Sequence, residues 1–133
     1  MIDAPQIIWE YLTASGTGLY TLVGARIYSP VAPQEWDNTT AMIVFEVDEQ
    51  IHSKACMSVV DVDFFCYGGT ENATDAAAVY RALFDRLQNA GGVVSSGKIE
   101  SARHTGGDPY EREPTESRYP RGVSRFEIIV NSN

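Results

Sequence analysis

Cysteine and histidine are scarce in this chain, with two of each among 133 residues. Cys56 and Cys66 sit in one β-like run, where a continuous strand rising about 3.3 Å per residue would hold them roughly 33 Å apart. That is far beyond the reach of a disulfide, about 4.4 to 6.8 Å between Cα atoms. Free, buried thiols are expected. His52 and His104 fall in unrelated segments, and the cysteines do not have zinc-ligand spacing, so no metal site is expected. Cations are few as well: ten Lys plus Arg against eighteen Asp plus Glu give a net charge of -8, the wrong sign for a surface that grips phosphate backbones. Long apolar runs are missing, and the opening MIDAPQIIWEYL has neither the basic start nor the apolar stretch of a signal peptide. The expectation is a chain made and used inside a cell, with no membrane partner. Phosphate-cradling glycine patterns are absent too. Gly68-Gly69 reads as strand punctuation and Gly16-Thr17-Gly18 as a helix stop.

What is present describes one folded domain over residues 1–133. The 44% hydrophobic and 21% charged content suits a soluble globular unit whose single core buries about two-thirds of the unfolded surface. Asp3-Ala4-Pro5-Gln6 announces a helix: Asp3 caps, Gln6 reaches back as the second half of a capping box, and the missing N–H of Pro5 is harmless there. Ile7, Ile8, Tyr11 and Leu12 then share one face. Leu19 to Val23 reads as a further short turn, followed by a brief strand at Arg26 to Tyr28. Pro30, Pro33 and Asp37-Asn38 make residues 29–40 a loop, with Trp36 inside it.

Two strands follow, Ala41 to Val47 and a longer run from Ser53 to Tyr67, joined as an antiparallel hairpin. In the second, a period of two puts Cys56, Ser58, Val60, Val62, Phe64 and Cys66 on one face and Met57, Val59, Asp61, Asp63, Phe65 and Tyr67 on the other. Asp61 and Asp63 are a pairing that suggests metal-dependent catalysis. Metal chemistry would need further oxygen or imidazole ligands, and none stands at suggestive spacing. The competing reading is a solvated strand face, or one covered by a neighbouring subunit, since an unpaired carboxylate is expensive to bury.

Residues 71–89 form the strongest helix, with Ala76, Val79, Tyr80, Leu83, Phe84 and Leu87 as an apolar stripe that should lie on a sheet. Thr70 is the expected cap, and Gly91-Gly92 the expected stop. Lys98 to His104 and Val123 to Val130 read as strands, the latter turning Phe126, Ile128 and Val130 inward. Between them, residues 105–122 carry three prolines, three glycines and seven charged side chains. A structureless loop of this length is uncommon in a compact domain unless it has a function. Tyr and Arg are enriched where proteins meet, so Tyr110, Glu111, Arg112, Arg118, Tyr119 and Arg121 mark a candidate docking arm; the alternative is a mobile hairpin tip. His104 is the histidine with plausible exposure, and a lone exposed histidine is usually inert. Glu111, Glu113 and Glu116 could supply an acid and a base, but in a segment poorly suited to hold catalytic geometry.

The order of elements, with "LYTLVGARIY" at Leu19 to Tyr28, "AMIVFEV" at Ala41 to Val47, "DAAAVYRALFDRL" at Asp75 to Leu87 and the closing "GVSRFEIIV" at Gly122 to Val130, resembles the tail-completion, or tail-terminator, proteins of long-tailed bacteriophages and prophages. The likeness runs over nearly the whole chain; Trp36-Asp37-Asn38 makes the early loop more polar than that pattern. The resemblance implies an α+β subunit with an antiparallel or mixed sheet of four to five strands, an N-terminal helix and one long helix packed on it. It also implies a non-enzymatic role without cofactor: a homo-oligomeric ring, a hexamer, at the head-proximal end of the tail in the virion. The implied partners are further copies of the chain, the tail tube protein and a head-completion or connector protein, with DNA passing through unbound. A head-to-tail ring needs two unlike patches, and the acidic face with Asp61 and Asp63 and the Thr105 to Gly122 arm with Arg112, Arg118 and Arg121 are the expected pair; Trp36 is a further interface candidate. The rival readings are a small metal-dependent hydrolase or nuclease using Asp61 and Asp63, and a monomeric ligand-binding domain with a pocket between the long helix and the sheet.

Overall fold

A computed structural model describes residues 2–34, 39–48, 52–53, 57–111 and 120–132. Helix α1 spans Ala4–Leu12. The Asp3 carboxylate accepts from the Gln6 backbone N–H at 3.2 Å, as an N-cap does. The Gln6 side chain does not close the capping box; it donates to Glu10 one turn on, at 3.0 Å. Ile7, Ile8, Tyr11 and Leu12 are buried. Thr17 caps α2, Gly18–Val23, accepting from the Tyr20 N–H at 3.0 Å.

Strand β1, Ile27–Tyr28, runs parallel to β2, Met42–Val47, with Ile27 opposite Ile43. The long strand expected from Ser53 is two pieces: His52–Ser53 forms β3 and pairs back onto Val59 and Ser58 of β4, which spans Met57–Tyr67. Helix α3, Ala73–Leu87, is shorter than its pattern by two residues at each end. Asn72 caps it, accepting from the Thr74 N–H at 3.0 Å. Thr70 is not the cap; its hydroxyl donates to Asp75. The left-handed residue that ends the helix is Asn89, at φ 61°, not the glycine pair, because Asn tolerates that conformation and is reached first.

Strands β5 (Gly92–Val94), β6 (Gly97–Glu111) and β7 (Arg121–Asn131) complete a sheet ordered β1-β2-β4-β7-β6-β5, with β3 attached to β4. The described residues therefore form seven strands rather than four to five, in an α+β arrangement whose only parallel pair is β1 with β2. The surplus comes from β3 and β5, two and three residues long, too short to show alternation in sequence.

The larger correction concerns residues 105–122. Thr105 to Glu111 continue β6, and Arg121 and Gly122 open β7. Sequence breakers hid this. Gly106 and Pro109 lie where the β6–β7 register shifts, between His104 and Gly106 and between Asp108 and Glu111; such bulges let a strand absorb residues that cannot pair. Gly107 has φ 141°, and a Cβ there would run into the Val123 carbonyl oxygen.

One face of the sheet holds the core. Ile43, Phe45, Val60, Val62, Phe64, Cys66, Phe126, Ile128 and Val130 pack with Ile7, Leu12, Leu19 and Val23 of α1 and α2 and with Val79, Leu83 and Leu87 of α3. Burying each large side chain stabilises the fold by about 1.5–3 kcal/mol before the entropy of ordering it. Phe64 meets Phe45 at 5.7 Å and Phe126 edge-on at 6.0 Å between ring centroids, arrangements aromatic rings favour. The space under α3 that was a candidate ligand pocket is thus filled by side chains. Burial pushes the Cys66 thiol well above its ordinary range, so it stays protonated; Cys56 lies outside the described residues.

Candidate functional site

Asp61 and Asp63 stand on the face of β4 away from the helices, each half-buried. Cross-strand register explains what surrounds them. Asp61 is opposite Glu127, and Asp63 is opposite Arg125 of β7 and Glu46 of β2. The Arg125 Nε reaches Asp63 Oδ1 at 3.3 Å. At the same end, the Asp48 N–H donates to the Asp61 carbonyl oxygen at 2.7 Å, which brings a further carboxylate into the group. Desolvation, with the charge of Asp48 behind it and Arg125 opposing, holds the Asp63 carboxyl above its ordinary value. An ion pair flanked by like charges contributes little to stability. Among the described residues, no group of three or more His, Cys, Asp or Glu side chains is placed to hold a metal ion. The two aspartates fit the strand-face reading, and the cation that meets Asp63 belongs to its own chain.

The described part of the arm is tied down on both faces at its base. On the face shared with Asp63, Arg121 pairs with Glu111 across the β6–β7 ladder, Nε to Oε2 at 2.8 Å. Its guanidinium lies over the Phe65 ring, 4.7 Å from the centroid, and it also donates to the Tyr67 hydroxyl at 3.5 Å. Burial alone would lower the Arg121 pKa, but the hydrogen bonds to Tyr67 and Glu111 outweigh it and hold the value above the ordinary one. On the helix side, Arg81 of α3 donates to the Tyr110 hydroxyl at 3.1 Å, and the Tyr110 N–H is turned by Asp108 Oδ1 at 2.9 Å. Tyr110 remains 49% exposed. Two anchors thus fix the end of β6 and the start of β7.

The structure brings Glu111 and Arg121 into contact and puts Asp61, Asp63 and Arg121 on one sheet face. Of the arm's three cations, only Arg121 is thus seen beside the aspartate face, where the end of β6 and the start of β7 continue the same sheet. Trp36, Arg112, Arg118 and Tyr119 lie outside the described residues, as do Glu113 and Glu116. His104 is exposed, hydrogen-bonded with the Tyr80 hydroxyl at 3.2 Å and packed edge-on against Phe84 and Phe126, which gives it a packing role. Sequence reading missed Arg125 and Arg81. Arg125 becomes legible once β4 and β7 are taken as neighbours, because the period of two then sets it on the aspartate face.

No family model matches the sequence, and no curated protein does. Among solved structures, a chain from the virion of a native gene transfer agent (GTA) particle is similar, with a TM-score of 0.66 and 20% identity over 96% of this chain and 93% of that one. At that identity the likeness shows a common fold, shared nearly end to end.

Proposed function

We propose that the chain is a structural virion subunit of the tail-terminator kind, closing into a ring at the head-proximal end of a phage-type tail, ending growth of the tube and joining the tail to the head. The observation that carries this reading is the end-to-end fold likeness to a chain of a gene transfer agent virion. The sequence order that resembles tail-completion proteins points the same way, and the described surface suits assembly: a sheet with one helix-free face, and a hairpin anchored on both sides by Arg121 and Tyr110. The helix-free face with Asp61 and Asp63 and the arm with Tyr110, Glu111, Arg112, Arg118, Tyr119 and Arg121 meet neighbouring copies or the tube and connector, with Trp36 as a further contact. The net charge of -8 suits a passage that DNA traverses without sticking.

Electron microscopy of the purified chain, alone and added to tails that lack it, tests this directly. Six-fold rings, free or capping one tail end, are expected; a chain that neither forms rings nor binds tail ends contradicts it. The rival metal-dependent hydrolase predicts instead a divalent-cation-dependent activity that Asp61→Ala abolishes with the fold intact. The rival monomeric ligand-binding domain predicts a single subunit's mass and stabilisation by its ligand.

A further inference from the structure

Two exposed apolar features stand at opposite ends of the sheet. At the β1 end, the start of α1, β1 and the segment after it enclose an open groove of about 690 Å³ lined by Pro5, Trp9, Ile27, Tyr28, Val31 and Pro33. Val31 on its rim is 70% exposed. Among the described residues, the acid that lines this groove is Asp3. Trp9 is fixed in place, its indole N–H donating to the Ile27 carbonyl at 2.9 Å. That bond also occupies the carbonyl an added strand would use, so an occupant enters by its side chains and not by extending the sheet.

At the opposite end, β5 covers only the first residues of β6. Its Val94 turns inward against the core, which leaves Val93 on the other face, 69% exposed and directly opposite Lys98 in the β5–β6 register. Lys98 has one ion-pair partner among the described residues, Glu100 at 3.4 Å, and its side chain keeps 43% of its exposure. This corner therefore offers an apolar knob beside a cation, and the groove offers an apolar hollow beside an acid. Complementary features at different places on one molecule produce a head-to-tail contact, the kind that closes rings.

We infer that the Val93–Lys98 corner of one copy seats in the Trp9–Val31 groove of the next. The inference rests on the ring reading above and says which surfaces join. Val93 fills part of the hollow, and Lys98 approaches Asp3. The knob lies on the helix-free face and the groove opens beside α1, so successive copies overlap at their sheet ends rather than meeting edge to edge.

Two variants that each add one cysteine to a Cys56→Ser background, Val31→Cys and Val93→Cys, test the contact, the remaining Cys66 being fully buried. They are mixed under ring-forming conditions, or on tail ends if the free chain stays monomeric, and treated with a short bismaleimide. The expected product is a covalent dimer in the mixture and not with either variant alone; the double variant should give a ladder up to the closed ring. Val93→Asp should weaken ring formation by roughly tenfold or more per contact. Asp3→Asn, which keeps the helix cap, should weaken it without changing the monomer's thermal midpoint. Rings without the mixed cross-link, or cross-links from Val93→Cys alone, overturn this contact and leave the ring reading standing. No assembly at all removes the ring reading and this contact with it.

Discussion

Arg125 faces Asp63 across the β4–β7 ladder, with Nε 3.3 Å from Oδ1. The pair sits among Glu46, Asp48, Asp61 and Glu127, so Arg125 offsets only part of the like-charge repulsion around it. Removing Asp63's charge should therefore be nearly free. Asp63→Asn is expected to be neutral or stabilising by a few tenths of a kcal/mol at pH 7, after allowing for screening by solvent. The sign follows from linkage. The folded pKa is raised above its ordinary value of 3.8, so the native state holds the proton more tightly, and stability falls as pH rises from that value through the raised one. The advantage of Asp63→Asn should accordingly vanish below that window. Urea midpoints of both proteins across the acid range check this; a gain that grows toward low pH would be wrong in sign.

Glu10 behaves in the opposite way. The Ser96 hydroxyl and N–H and the Gln6 amide all donate to its carboxylate, with the hydrogen bond from the Ser96 side chain the largest cause of its lowered pKa. Stability from this group is present above the ordinary value of 4.5 and is lost as pH falls through the depressed value. Glu10→Gln should therefore be less stable than the parent at neutral pH, and the two should converge on acidification, as read by thermal midpoints.

Arg121 combines stacking on Phe65 with the Glu111 and Tyr67 hydrogen bonds. Arg121→Ala is expected to cost about 1–2 kcal/mol, and Arg121→Lys should recover little of it, because an ammonium cannot keep the planar stacking and the forked donors together. Denaturant unfolding of the two variants distinguishes this from a simple charge effect, for which Lys would restore stability.

Adjacent glycines in β6 should respond differently. Gly107→Ala forces a Cβ toward the Val123 carbonyl at a backbone angle that side chains avoid, and should destabilise by about 2 kcal/mol or more. At Gly106 a Cβ would meet nothing within 4 Å, so Gly106→Ala should be neutral or gain up to about 1 kcal/mol through the unfolded chain. Equal losses at both positions would show that the β6–β7 bulges are not as described.

Ser124 is fully buried on β7, and its hydroxyl has no hydrogen-bond partner among the described residues. Ser124→Ala should be neutral or stabilising by about 1 kcal/mol, whereas a loss of that size would reveal a partner for the hydroxyl.

How much of this could be read in advance differs from element to element. Helix α1 and its Asp3 cap, the apolar stripe of α3 and the two faces of β4 follow from periodicity, because burial imposes the same spacing on any sequence. The ends of α3 did not, since Asn72 and Asn89 compete locally with Thr70 and Gly91 for the same roles. Residues 105–111 of β6 carry no alternating apolar pattern. Their strand is held by pairing to β7, a non-local fact that Gly106, Gly107 and Pro109 conceal. The candidate surface was half legible: Asp61 and Asp63 show on one face from spacing alone, but Arg125, the Arg81–Tyr110 bond and the Trp9–Val31 groove depend on which elements become neighbours.

The most direct measurement removes the chain from the particle it is proposed to complete. Particles assembled without it, imaged by electron microscopy, should show tails of irregular length that are detached from heads, and adding the purified chain should restore attachment. Tails of normal length, firmly joined to full heads in its absence, would contradict the account.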